Sequence, residues 1–156
     1  MAGRQTTRSL MWAGAGLAGL LALGQPAAAN AAETFTFKTI AHGTPDGVRL
    51  PATGPTFQGG RVFGFSSDTA YADGHKETTV GKCSSWTNPP GSAFQVTGVC
   101  EAAEYTIRFT CGTAADNPAE ANCWGYLEGQ AGRYKGRTGL ITYRSGTVSE
   151  GVGLWH

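Results

Sequence analysis

The chain has 156 residues, with 12 basic and 11 acidic side chains and a formal net charge of +1 at pH 7. That length is typical of one domain. The near-neutral charge argues against a general electrostatic attraction to nucleic acid or to an acidic membrane. We therefore predict no nucleic-acid partner.

The first 31 residues have the pattern of a secretory signal peptide. Residues 1–9 are polar and include two arginines, residues 10–23 are apolar, and an Ala-x-Ala site follows at 29–31. This order defines such a signal, and the apolar run is shorter than the roughly 20 residues that a membrane-spanning helix needs. We predict a signal peptide over 1–31 and one domain over 32–156. The domain is expected to be periplasmic or secreted, with no membrane contact after cleavage.

Beyond the predicted signal, strand signals recur and helix signals are nearly absent. The segments alternate in polarity or are rich in β-branched and aromatic residues, and turn residues separate them. Short strands at near-regular spacing predict an antiparallel sandwich or barrel. The glycine- and proline-rich segment 43–60 is expected to be a loop. The eight predicted strands are residues 34–40, 60–66, 77–83, 94–100, 105–111, 123–128, 138–143 and 148–155.

Four cysteines lie in the predicted exported domain. An even number of cysteines in an exported chain predicts two disulfides, and four cysteines allow three pairings. We favour pairing between sequence neighbours, because each bond then staples one hairpin. The spacings lack the Cys-x2-Cys pair that is common in zinc sites, so no metal is predicted. The favoured pairs are Cys83–Cys100 and Cys111–Cys123.

Residues 123–145 hold a strand, a glycine-rich turn and a second strand. The turn, residues 129–139, is GQAGRYKGRTG, with four glycines and one aromatic residue, Tyr134. This arrangement resembles the allene oxide cyclase and dirigent superfamily, and a group of exported bacterial proteins with this cysteine pattern. The resemblance implies an eight-stranded antiparallel β-barrel, often a dimer or trimer, whose apolar interior holds a small hydrophobic ligand. No catalytic residue of the superfamily is matched to a position here.

The same turn is not predicted to bind phosphate. Phosphate-binding loops of this kind lead into a helix N-terminus, whereas residues 140–143 are β-branched and aromatic and predict a strand. Arg133, Lys135 and Arg137 alternate along the turn, so we expect them to share one solvent-facing side. A nucleic-acid patch would need wider basic clustering.

Strand alternation supplies candidates for an interior site. If Tyr126 and Glu128 point into the barrel with Arg108 opposite, the carboxylate would act as general acid or base and the other two would stabilise an oxyanion. The alternative is an exposed cross-strand pair of Arg108 and Glu128, worth under ~1 kcal/mol. No cofactor is predicted. The predicted ligand-binding residues are Trp124, Tyr143 and Phe109.

Three functions stay open at this point. The first is an exported barrel that binds a small apolar molecule, with cyclase or isomerase chemistry unproven. The second is a non-catalytic scaffold or homo-oligomer subunit. The third is a carbohydrate-binding domain that uses exposed tryptophans. The candidate tryptophans are Trp86, Trp124 and Trp155.

The three histidines are far apart in sequence, so they predict no metal site. They are His42, His75 and His156.

Overall fold

The computed structural model describes residues 32–43, 49–52 and 58–156 of the chain. The predicted signal peptide, residues 1–31, lies outside the described residues. The described residues form nine strands and one short 3-10 helix. In chain order these elements are β1 (Glu33–His42), β2 (Arg49–Leu50), β3 (Gly60–Tyr71), β4 (Lys76–Thr87), β5 (Val96–Ala102), β6 (Tyr105–Thr113), β7 (Ala121–Gly129), the 3-10 helix (Gly132–Tyr134), β8 (Thr138–Ser145) and β9 (Ser149–Trp155).

Eight of these strands close into an antiparallel barrel, which confirms the predicted fold class. Each strand from β3 to β8 pairs with the strand that follows it, and β1 closes the barrel by pairing with both β9 and β3. Following the paired residues once around the barrel leads from Arg61 to Tyr71 on the same strand, a shift of ten residues. Such a stagger requires strands that are tilted relative to the barrel axis.

The segment predicted as a loop between β1 and β3 contains a short strand, β2. Its two residues pair antiparallel with Gly60 and Arg61 at the start of β3. β2 extends the sheet beyond the closed barrel and belongs to one rim. A strand of two residues leaves no alternation pattern, so the sequence gives no signal for it.

The alternation along each strand decides which side chains enter the barrel. In β6, Tyr105, Phe109 and Cys111 are buried while Arg108 is exposed, because successive side chains point to opposite faces of a sheet. The buried side chains form two clusters. One contains Phe35, Tyr71, Tyr105, Leu127, Tyr134, Ile141 and Trp155, and the other contains Phe65, Cys83, Cys100, Phe109, Cys111 and Cys123.

Inward-facing glycines make room for large neighbours on adjacent strands. A Cβ atom added at Gly153 would lie 2.7 Å from Cγ2 of Ile141 and 2.7 Å from Cε2 of Phe35. Both distances are too short for carbon atoms in van der Waals contact, which separate at about 3.5–4.0 Å. Glycine at this position therefore lets the ring and the isoleucine side chain pack directly over the backbone.

Both favoured disulfides are confirmed. Cys83 pairs with Cys100, and Cys111 pairs with Cys123, each bond joining residues that are directly opposite on neighbouring strands. Linking residues 17 and 12 positions apart restricts the unfolded chain by roughly 3 kcal/mol for each bond. Two disulfides are compatible with an extracellular or periplasmic location. Within the described residues, no helix has the length and apolar character needed to cross a membrane.

Candidate functional site

The barrel interior contains a cavity of about 140 Å³. Its lining reaches from buried Trp155, at what we call the closed end, to exposed Arg61, Ala41 and Gly146, at what we call the open end. A concave, mostly apolar space with few polar groups is typical of a small-molecule site. The aromatic lining residues are Phe35, Phe37, Phe63, Phe65, Tyr71, Tyr105, Phe109, Tyr143 and Trp155.

Four hydroxyl groups, which we call the hydroxyl row, cross adjacent strands on the cavity wall. The Ser149 hydroxyl donates to Ser145 Oγ over 3.3 Å, and the Thr39 hydroxyl donates to Ser67 Oγ over 2.8 Å. Thr39 is paired in register with both Ser67 and Ser149, which places the row on β8, β9, β1 and β3. The row offers hydrogen-bonding groups on a wall that is otherwise mainly aromatic.

Arg61 stands at the open end and is the one formally charged residue among the described residues that line the cavity. Its guanidinium carbon lies 4.9 Å from the centroid of the Phe63 ring. A cation–π contact of this kind contributes about 0.5–1 kcal/mol at an exposed site. The contact holds the guanidinium against the cavity wall, so a positive charge marks the entrance.

Tyr134 plugs the closed end. Only 1% of this residue is exposed, and its ring stacks on Trp155 with the centroids 4.6 Å apart. The ring also meets Tyr105 edge to face at 5.3 Å. The Tyr134 hydroxyl donates to Glu77 Oε1 and lies within hydrogen-bonding reach of the Tyr71 hydroxyl. These contacts give the cavity a floor of packed aromatic rings.

The glycine-rich turn gives Tyr134 this position. Gly132 and Gly136 have φ values of +56° and +77°, in the left-handed region that glycine adopts without steric cost. The N–H groups of Gln130 and Ala131 donate to the Glu104 carbonyl over 2.7 and 3.0 Å. The turn is therefore anchored across the end of the barrel, and β8 rather than a long helix follows it.

The expectation that the basic residues of this turn share one solvent-facing side is wrong for Arg137, which is half-buried, whereas Arg133 is exposed. Arg133 Nη2 and Arg137 Nη1 donate to the two carboxylate oxygens of Glu33 on β1, over 2.5 and 2.8 Å. The Arg133 guanidinium also lies over the Tyr71 ring, 4.7 Å from its centroid. Lys135 is exposed. Two of the three cations thus clamp the turn to the first strand.

Replacing Glu33 with glutamine is expected to lower the free energy of unfolding by about 1–3 kcal/mol. The Glu33 side chain is 19% exposed, so its loss leaves two partly buried guanidinium groups without their carboxylate. Urea denaturation measures the change. The matched control is Glu128→Gln, which breaks an exposed pair and should cost under ~0.5 kcal/mol. Equal effects of the two substitutions would contradict the clamp.

The tyrosine hydroxyls of the cavity and plug have raised pKa values. Burial raises the pKa of the Tyr134 hydroxyl, and its hydrogen bonds to Glu77 and Tyr71 raise it further. Burial raises the pKa of Tyr71 by more than its hydrogen bond with Tyr134 lowers it. Burial alone raises the pKa of Tyr143. These phenols stay protonated near neutral pH, so none of them supplies a base.

Tyr126 and Glu128 do not point into the barrel, and the structure has the alternative arrangement, an exposed pair of Arg108 and Glu128. Tyr126 is 41% exposed on the outer face of β7, and Glu128 faces the same way. Glu128 Oε2 lies 3.5 Å from Arg108 Nη2 in an exposed pair across β6 and β7. The physical reason is strand alternation, because Gly125 and Leu127 take the inward positions. Arg108, Tyr126 and Glu128 therefore do not form a catalytic group inside the barrel.

The predicted ligand-binding residues divide between the two faces. Phe109 and Tyr143 line the cavity, and their rings meet edge to face with centroids 6.5 Å apart. Trp124 is 47% exposed on the outside and packs edge to face against Phe94 at 4.5 Å. Trp124 therefore contacts no interior ligand.

Of the other two tryptophans, Trp86 faces outward like Trp124 but lies three strands away, and Trp155 points into the barrel. Trp155 is buried in the plug, and Trp86 is half-buried on β4. Flat carbohydrate platforms need exposed aromatic rings side by side, and these three do not provide them.

The histidines lie at opposite ends of the barrel. His42 Nε2 is 2.9 Å from Ser66 Oγ at the open end, while His75 Nε2 is 3.8 Å from Glu77 Oε2 at the closed end. His156 follows β9, also at the closed end. In the described part of the chain, no group of three histidine, cysteine, aspartate or glutamate residues gathers as metal ligands would.

The roles of Arg61, Glu33 and Glu77 were missed in the sequence analysis. The inward face of β7, in contrast, could have been found from the predicted disulfide between Cys111 and Cys123. Cys111 belongs to the apolar set of β6, and its disulfide partner Cys123 must face the same side. Since alternate residues share a face, Cys123 places Gly125 and Leu127 inside. No local signal identifies Arg61, whose role depends on the closure of the barrel.

Comparison with known proteins adds no family. No family model, no curated protein and no solved structure matches the chain.

Proposed function

We propose that this protein binds a small, mostly apolar molecule inside its barrel. The observation that carries the proposal is the cavity of about 140 Å³. Aromatic rings form its walls, Tyr134 plugs its closed end, and the exposed Arg61 lies at its open end. An apolar cavity of about 150 Å³ is large enough to hold benzene. The size therefore favours a ligand built around one ring or a short chain.

Binding is a better proposal than catalysis, because the described lining supplies no general base. The lining contains no aspartate, glutamate or histidine. Its tyrosines include Tyr71, Tyr105 and Tyr143, and burial raises the pKa of each hydroxyl. General acid–base chemistry near neutral pH needs a group whose pKa lies near that pH. Cyclase or isomerase activity is thus a secondary proposal.

The relation to a known superfamily and the exported location of the protein are also proposals. The eight-stranded barrel and the plugged glycine-rich turn support the resemblance to the allene oxide cyclase and dirigent superfamily. The disulfides support export through a signal peptide over residues 1–31. Native mass spectrometry of protein purified from its host would report the mature mass, a retained ligand and the oligomeric state together.

Blocking the open end is expected to weaken binding. Ala41 lines the cavity at this end and is exposed, so Ala41→Phe places a ring in the entrance without disturbing buried packing. We expect the affinity for indole, a neutral ring-sized probe, to fall at least about tenfold, the loss of about 1.4 kcal/mol. Isothermal titration calorimetry measures it.

The matched control is Ile40→Phe. Ile40 precedes Ala41 on β1 but faces outward and is 49% exposed, so the added ring stays outside the barrel. Indole should bind this variant as it binds the unmodified protein. Equal loss in both variants, or no indole binding by the unmodified protein, would count against the interior site and favour the scaffold function.

A further inference from the structure

We infer that the ligand of the cavity is an organic anion, a ring-sized molecule with one carboxylate that Arg61 binds at the open end. This inference rests on the proposed function and adds the chemical class of the ligand. It follows from three features of the described residues: Arg61 has no carboxylate partner among them, those that line the cavity carry no negative charge, and the hydroxyl row adds polar groups to an otherwise apolar interior.

Arg61 differs from the other arginines whose side chains are described. Each of the other four has a carboxylate oxygen within 4 Å, whereas Arg61 has no such partner among the described residues. Its guanidinium contacts the Phe63 ring instead. The paired arginines are Arg108 with Glu128 at 3.5 Å, Arg133 with Glu33 at 2.5 Å, Arg137 with Glu33 at 2.8 Å, and Arg144 with Asp116 at 2.8 Å.

The charge of Arg61 is not offset by the cavity. Among the described lining residues there is no aspartate or glutamate, and the polar side chains other than Arg61 are serine, threonine and tyrosine. Apolar walls lower the local dielectric and strengthen the field of a charge at the entrance. The field therefore attracts an anion towards the cavity and repels a cation.

The guanidinium suits a carboxylate in particular. Its N–H groups form a fork that matches the two oxygens of a carboxylate, and such charge-assisted bonds are stronger than neutral ones. A ligand of this class places its ring among Phe37, Phe65 and Phe109, which line the cavity. Its carboxylate then stays at the wet entrance, where it keeps part of its hydration.

Three probes of one shape test the inference. They are 3-phenylpropanoate, 3-phenylpropanamide and 3-phenylpropylammonium, which share a ring and a chain but differ in charge. At neutral pH and low salt, the carboxylate should bind about tenfold more tightly than the amide, and the ammonium compound most weakly. Calorimetric titration gives the three dissociation constants.

Substitution of Arg61 assigns the preference to this residue. Arg61→Gln should make the carboxylate bind no better than the amide, and Arg61→Lys should restore part of the difference. The control Arg108→Gln removes an exposed arginine on the outer face and should leave all three affinities unchanged.

The outcomes separate the inference from the proposed function. If all three probes bind equally, or if Arg61→Gln keeps the carboxylate preference, the anionic class is wrong while the interior site stands. If neither these probes nor indole binds the unmodified protein, the proposed function fails and the inference fails with it.

Discussion

Replacing Tyr134 with alanine is expected to lower the free energy of unfolding by about 3–5 kcal/mol, the usual cost of truncating a buried aromatic side chain. The ring is almost fully buried and packs on Trp155 and Tyr105, and its hydroxyl is bonded to Glu77. Its removal opens the closed end to water. Urea denaturation followed by tryptophan fluorescence measures the change.

Two further variants distinguish the plug from the turn that carries it. Tyr134→Phe keeps the ring and loses the hydroxyl, so it should cost about 1 kcal/mol. Lys135→Ala changes the next residue, which is exposed, and should shift stability by less than ~0.5 kcal/mol. A Tyr134→Ala variant within ~1 kcal/mol of the unmodified protein would show that the plug contributes little.

Stability is expected to fall steeply above about pH 10, the pKa of tyrosine in an unfolded chain. Burial raises the folded-state pKa of Tyr71, Tyr105, Tyr134 and Tyr143 above that value. Above pH 10 the folded state therefore holds protons that the unfolded state has lost, and stability decreases as pH rises. Each such tyrosine contributes about 1.4 kcal/mol per pH unit.

The alkaline transition has a spectroscopic signature. The phenolate absorbance of the buried tyrosines should appear together with the loss of the strand circular dichroism signal. Tyr143→Phe provides the matched variant, because among the described residues the Tyr143 hydroxyl has only a 3.9 Å contact with Cys111 Sγ. This variant should release one proton fewer on unfolding. Full phenolate formation in a still-folded protein would contradict the burial of these groups.

The strands and the disulfides could be predicted because both depend on local sequence. Alternation in β6 and turn residues between strands are visible within a few positions. Pairing of neighbouring cysteines follows from hairpins, in which adjacent strands bring such residues opposite each other. The predicted end of the second strand at Ser66 was too early, because the polar residues up to Tyr71 are held by pairing with β1 on one side and β4 on the other.

The site could be predicted only in part, because alternation sorts the residues of a strand into two faces without telling which face points into the barrel. Trp124 and Tyr126 look like interior residues in isolation, yet they lie outside, and small Gly125 lies inside. Phe109 and Tyr143, which were predicted as ligand-binding residues, line the cavity. The remaining groups meet only when the barrel closes: Glu33 is 100 residues from Arg133 in sequence, and Tyr134 is 57 residues from Glu77.

The most direct test of the interior site is a nuclear Overhauser measurement between bound indole and the methyl groups of the protein. Ile107, Leu127 and Ile141 line the cavity, whereas Leu140 and Val152 lie on the outer face and are more than half exposed. The interior site predicts cross-peaks from indole to the three inward residues and none to the two outward ones. Cross-peaks confined to Leu140 and Val152 would contradict it.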